Sequence, residues 1–225
     1  MKTAGSESWS VTVGGGQMEH AVLYVRDACR LIPPADADNP PPLAGGIIEA
    51  ETSLDPRDLA DASDAWLRWW RRIVRLDCTT SHLPPYGRQT DANERGARLQ
   101  AREAVFDPPA FASLMDVPSL QLAARQANRA ALGWWSHGRT FAAGHRSHGR
   151  DAKVVAEEMI DTYQVSPARV HATIFVLSVA REWSFFPAPG VAMCSASVIA
   201  DSELYGPLLR RAFESGLSRT PPGVD

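Results

Sequence analysis

Four side chains in this 225-residue chain have the types and spacings of a tetrahedral zinc site: Cys78 and His82, spaced C-x3-H, and His145 and His148, spaced H-x2-H. The two pairs lie far apart in sequence, and nothing between them makes them meet. His145 and His148 also stand among Arg146, Arg150 and Lys153, cations that oppose a metal ion. They are weak metal candidates, and the expectation is that no metal and no cofactor is bound. A second chemistry, metal-assisted hydrolysis, would draw on the same histidines or on Glu157, Glu158 and Asp161. Acidic residues on an exposed helix face are usually only solvated. Gly14-Gly15-Gly16 separates a strand from a helix, the geometry that cradles phosphate. It lacks the G-x-G-x-x-G spacing, and Glu19 would repel a phosphate. Ser147 lies in G-x-x-S-x-G, which is not a nucleophile elbow. Cys194, His20 and His171 fall in regular elements and read as structural. No catalytic residue is assigned, and a non-enzyme is the expected class.

Binding chemistry is written more plainly. Arg139, Arg146, Arg150 and Lys153 crowd one Gly- and His-rich stretch, in which Ser-His-Gly-Arg occurs twice, at 136–139 and 147–150. Arginine forks suit phosphate or carboxylate, and Trp134 and Trp135 beside them would suit a stacked ring. This is the anion-binding candidate, with nucleic acid as one ligand. The net charge of −3 argues against global attraction to nucleic acid or anionic lipid. Lys2 and Lys153 are the only lysines, a bias that fits a GC-rich genome better than phosphate recognition.

The strongest pattern is a helix over 55–77. Asp55-Pro56 is a start signal. Asp58, Asp61 and Asp64 lie toward its positive end, and Arg68, Arg71, Arg72 and Arg75 toward its negative end. At about 100° per residue, Leu59, Ala62, Trp66, Trp70, Ile73, Val74 and Asp77 share one line, with Trp69 flanking it and the arginines opposite. Trp and Arg are the commonest hot-spot residues of protein interfaces. Trp66, Trp69, Trp70 and the four arginines are therefore the expected partner-binding set, packed inward or against a neighbour on one side and cationic on the other.

Elements must position these groups. A strand over 9–13 leads through the glycines to a helix from Gln17 whose inward face ends at Ile32. A Pro-rich loop near 33–45 reads as extended and mobile, followed by a short strand at Ile47 and Ile48. Beyond the Trp/Arg helix, Asp91 and Glu94 form a capping-box pattern opening a helix to about Phe106. Shorter helical stretches follow at 110–115 and from Pro118 to about Trp134, then a basic loop near 133–150 and a helix over 151–163. Residues 170–180 are apolar on both faces, as a central strand is. The turn at Pro187-Ala188-Pro189-Gly190 makes 191–200 their expected antiparallel partner, and Gly206-Pro207 opens the last helix. Strands and helices are segregated along the chain, which predicts an α+β fold. It is expected as one domain over 1–225, mostly helical, with a small antiparallel sheet that the N-terminal strand could join and helices over one face.

A hydrophobic content of 44% and charged content of 22% are ordinary for a globular domain. Cys29, Cys78 and Cys194 do not form a disulfide framework, and the first residues lack an apolar signal core, so a cytoplasmic setting is expected. No apolar run is long enough to cross a bilayer. The expected function is non-catalytic protein interaction, as adaptor or assembly protein or by self-association, docking through the Trp/Arg helix and the basic loop. Anion or nucleic-acid binding and metal-dependent hydrolysis are the alternatives.

Overall fold

The computed structural model describes residues 8–50, 54–81, 92–138 and 149–218. In chain order the elements are β1 (Ser10–Gly14), α1 (Gln17–Ala28), α2 (Pro56–Ser81), α3 (Ala92–Glu103), α4 (Pro118–Gly138), α5 (Gly149–Tyr163), β2 (His171–Leu177), β3 (Ser184–Ala188), β4 (Val191–Ser195), α6 (Ala196–Ala200) and α7 (Ser202–Leu217). The fold is α+β, mainly helical, around one sheet of order β1-β2-β4-β3.

That sheet is mixed, not antiparallel as the sequence suggested. β1 runs parallel to β2 in register Ser10↔His171, and β2 runs parallel to β4 in register Thr173↔Val191. The hairpin at Gly190 joins β4 to β3, not to β2. Residues 196–200, read as the end of a strand, form the short helix α6. The N-terminal strand does join the sheet.

Helices cover both faces, where one was expected. Alternate residues of the central strands point to opposite sides. Leu177, Val191 and Met193 pack with α1, α2 and α4, whereas Ile174, Val176, Ala192 and Cys194 pack with α5, α6 and α7. A strand apolar on both faces needs two covering layers, and β2 has them.

The entry to α1 depends on a close approach. A Cβ on Gly15 would lie 2.6 Å from the Val176 carbonyl oxygen, inside van der Waals contact with backbone that cannot swing aside. Gly15→Ala must therefore move β1 or β2, and should lower stability by about 1–3 kcal/mol. The check is the urea midpoint; a midpoint equal to that of the parent would show that the turn can relax.

Helix α1 ends earlier than its apolar periodicity implied. Arg30 adopts a positive φ of 54°, the Leu31 N–H reaches the Arg26 carbonyl at 2.8 Å, and the Arg30 N–H reaches that of Asp27 at 3.3 Å. This is a Schellman ending, with Arg where Gly is usual. Ile32, expected inward, is consequently exposed. Ile47 and Ile48 form no strand; the Ile48 backbone instead exchanges hydrogen bonds with the Tyr24 hydroxyl. The Pro-rich loop is bonded to the body of the protein. The Arg26 guanidinium donates to the Asn39 side chain and to the Pro40 and Pro41 carbonyls, and Leu43 bridges Val179. Of the expected basic loop, residues 133–138 complete α4 and 149–150 open α5, and residues 139–148 lie outside the described residues. Among the described residues no helix is long and apolar enough to cross a membrane.

Candidate functional site

Helix α2 begins as its sequence dictates. The Asp55 side chain accepts the N–H groups of Arg57 and Asp58, each at 2.9 Å, and Pro56 follows where no donor is needed. The helix is two-sided. Trp66, Trp69, Trp70, Ile73 and Val74 are buried, while Arg68, Arg71, Arg72 and Arg75 are exposed.

The indoles are taken up by the chain itself. Trp66 and Trp70 stack at 5.9 Å with their planes 4° apart, and Trp69 meets Phe111 edge-on at 6.0 Å. Each indole N–H has a backbone acceptor: Val22 for Trp66, Val105 for Trp69 and Asp38 for Trp70. Nothing of these three rings is left for a partner. What α2 offers outward is its arginine face.

That face is divided. Arg71 bonds the carboxylates of Asp36 (2.5 Å) and Asp38 (2.6 Å) on the Pro-rich strap. Arg72 reaches the carbonyls of Ala104 (3.4 Å) and Ser113 (3.5 Å). Arg68 lines a groove with Asp58, Asp61, Asp64 and Asp116. The single positive patch anticipated from the helical wheel is thus divided: Arg71 and Arg72 are bonded to different acceptors, and Arg68 lines an acidic groove. Arg75 has no ion-pair partner among the described residues.

Arg75 opens onto a cleft of about 770 Å³. One wall is α2, with Arg71, Val74, Arg75, Cys78 and Thr79. The other is the β3–β4 hairpin, with Phe185, Pro187, Ala188 and Pro189; Asp38 of the strap stands at its margin. The β3 edge is suited to this position. It carries Pro187 and an irregular register between Phe185 and Ala188, so it presents an interrupted hydrogen-bonding edge and apolar side chains. The cleft combines a guanidinium with an apolar wall. Cys78 in it is unreactive, because burial pushes its thiol up to about 11.

A second polar arrangement lies in the core. Glu19, at the start of α1, and Asp77, near the end of α2, share a side-chain hydrogen bond. Burial, then the adjoining Glu19 carboxyl, pushes Asp77 up to about 9; burial likewise raises Glu19, and Arg102 of α3 partly offsets both shifts. Two carboxyls in contact away from water hold a proton between them. Asp77 had a visible signal, a carboxylate on the apolar line of a helix; its partner did not. Glu19 also folds back beneath Gly16 and accepts a hydrogen bond from its own N–H, so the helix N-terminus is already occupied by a carboxyl group of this chain. Next to it, His20 Nδ1–H donates to the Gly16 carbonyl at 2.7 Å, and Nε2 accepts the Ser178 N–H at 3.1 Å. Burial lowers its pKa to about 4, which leaves a neutral, structural imidazole.

The remaining candidates separate. Trp134 and Trp135 pack on His20, at 5.9 and 4.7 Å, rather than on a free ring site. Lys153 pairs with Glu157, and Glu158 with Arg210 of α7. Of the zinc set, Cys78 is described, while His82, His145 and His148 lie outside the described residues. So do Arg139 and Arg146, and the side chain of Arg150. Among the described residues no three His, Cys, Asp or Glu side chains cluster to hold a metal. No family model, curated protein or solved structure matches the chain.

Proposed function

We propose that this chain is a non-catalytic interaction protein that docks an acidic, partly apolar segment of a partner protein in the cleft between α2 and the β3–β4 hairpin. The observation that carries the reading is Arg75, a guanidinium without an ion-pair partner among the described residues, opposite Phe185 and Pro187. Arg beside apolar surface is the usual composition of an interface hot spot. Several groups that chemistry could use are already engaged or buried. All three described thiols are buried with raised pKa values, both His20 nitrogens are bonded, and Glu157 and Glu158 are ion-paired. Three free, buried cysteines suit a reducing compartment, the cytoplasm. Nucleic-acid binding draws less support, since Arg75 stands opposite an apolar wall of Phe185, Pro187, Ala188 and Pro189 rather than further cations.

The test is selection of a random peptide display library on the immobilised protein. Enriched peptides should carry Asp or Glu beside aliphatic or aromatic residues. Arg75→Glu should weaken them at least tenfold, and raising salt from low to high should weaken them on the parent protein. Light scattering of the protein alone reads out the other occupant, a second copy. Absence of enrichment, or peptides indifferent to Arg75→Glu, would overturn the reading, as would a stable dimer that the same substitution disperses.

A further inference from the structure

The strap over 33–43 is held in two unlike ways. Its proline half is anchored by buried groups. Arg26 Nη1 donates to Pro40 O at 2.5 Å and Nη2 to Pro41 O at 2.8 Å, while the Asp27 carboxylate accepts the Leu43 N–H at 2.6 Å. The backbone also bonds outward, from Ala180 N–H to Pro42 O at 2.8 Å and from Ala44 N–H to Ser178 O at 2.7 Å. Its acidic tip is a turn, closed by the Asn39 N–H on the Asp36 carbonyl at 3.1 Å. The tip's charge contact is the fork of Arg71 on Asp36 and Asp38, with the Arg71 side chain 44%, the Asp36 side chain 45% and the Asp38 side chain 13% exposed, while its backbone is held separately by the buried Trp70 indole on Asp38 O at 2.7 Å. The Arg71–Asp36 pair is solvated, hence screened and weak, so its side-chain contact can be exchanged for another of the same kind with the backbone of the tip in place. Arg71 and Asp38 both line the cleft that holds Arg75, one helical turn further on.

We infer that the acidic tip is an internal stand-in for the cleft's ligand: the partner segment carries two carboxylates separated by one residue, and these replace Asp36 and Asp38 on Arg71. The inference rests on the cleft being the docking site. Charge complementarity selects the occupant. Arg71 already holds two carboxylates in this chain, in the spacing Asp-x-Asp, and its planar fork is built for that pairing. The tip therefore also restrains binding. While Asp38 stands at the margin, an incoming carboxylate meets a like charge and an occupied guanidinium. Because Arg71 faces the cleft, removing the two acids frees it without moving the anchored prolines.

The probe is the strap's own sequence as a capped synthetic peptide, Pro-Pro-Ala-Asp-Ala-Asp-Asn-Pro-Pro, titrated while the indole N–H resonances of Trp70 and Trp183 are followed by NMR. Both indoles donate to the tip, Trp70 to Asp38 O and Trp183 to Ala37 O. The double variant Asp36→Asn/Asp38→Asn should bind the probe at least fivefold more tightly than the parent. Adding Arg71→Gln should abolish the gain, and a probe with both aspartates changed to asparagine should shift nothing. If the double variant does not fold, Asp38→Asn alone should give at least a twofold gain. Equal binding to parent and variant, binding to neither, or equal binding of the asparagine probe would overturn the inference. Display-selected peptides that still require Arg75 would then show that the cleft reading stands and the stand-in alone has failed.

Discussion

Trp66→Ala should destabilise the protein by about 3–5 kcal/mol, a large part of the 5–15 kcal/mol that holds an ordinary domain together. Three losses act at one position. The ring is 0% exposed, so its removal leaves a cavity in the layer between α1, α2 and α4. Its stacked neighbour Trp70 loses a flat partner at 5.9 Å. The Val22 carbonyl, 2.9 Å from the indole nitrogen, loses that donor, and the Arg26 guanidinium, 5.1 Å from the ring centre, loses the ring beneath it. Arg26 anchors the proline half of the strap, so the damage should spread to the rim of the cleft. Trp66→Phe keeps most of the packing but not the hydrogen bond, and should cost less. Urea unfolding followed by circular dichroism separates the cases. An alanine variant within about 1 kcal/mol of the parent would mean that the core around α2 closes over the gap, contrary to the close packing of its stacked rings.

The two-sidedness of α2 was legible because it is local: period, cap and burial are all set within one helix. The fate of its arginines was not. Asp36 and Asp38 reach Arg71, and Ala104 and Ser113 receive Arg72, across loops whose paths the helical period says nothing about. For the same reason the cleft itself had no signal, since Phe185 and Pro187 come to Arg75 only through the sheet. The sheet failed on one segment. Ser184 to Ala188 contains Pro187, which argues against a strand, and without that strand the Gly190 turn connects 170–180 directly to 191–200. At an edge with an irregular register the proline is tolerated, so β3 takes the hairpin and β4 returns parallel to β2. Alternation identifies a strand, but only the path of the connection sets its direction.

Asp77→Asn should stabilise the protein at alkaline pH and leave it nearly unchanged near pH 5. With its pKa raised from 3.8 to about 9, Asp77 keeps its proton in the folded chain where the unfolded chain has lost it. The stability this provides is complete below the unfolded value and is lost as pH rises through the window up to about 9. His20 acts in the opposite sense. Lowered from 6.5 to about 4, it is neutral in the folded chain where the unfolded chain binds a proton, so its contribution is present above 6.5 and is lost as pH falls toward 4. Between about 4 and 6.5 the two slopes oppose each other and stability should be nearly level. Above 6.5 only the carboxyl pair remains, with a limiting slope of about 1.4 kcal/mol per pH unit. The amide introduced by Asp77→Asn keeps a donor for the Glu19 carboxyl and has no proton to lose, so Glu19 can ionise beside it under the influence of Arg102. The alkaline decline should therefore flatten; His20 titrates alike in both proteins, so the difference follows Asp77 alone and, at about 1.4 kcal/mol per unit between pH 5 and 8.5, approaches a limiting gain of about 5 kcal/mol. Urea midpoints at pH 5, 7 and 8.5 measure it. Parallel profiles for the two proteins would show that Asp77 is ionised in the folded state and that α1 and α2 are not joined through a shared proton.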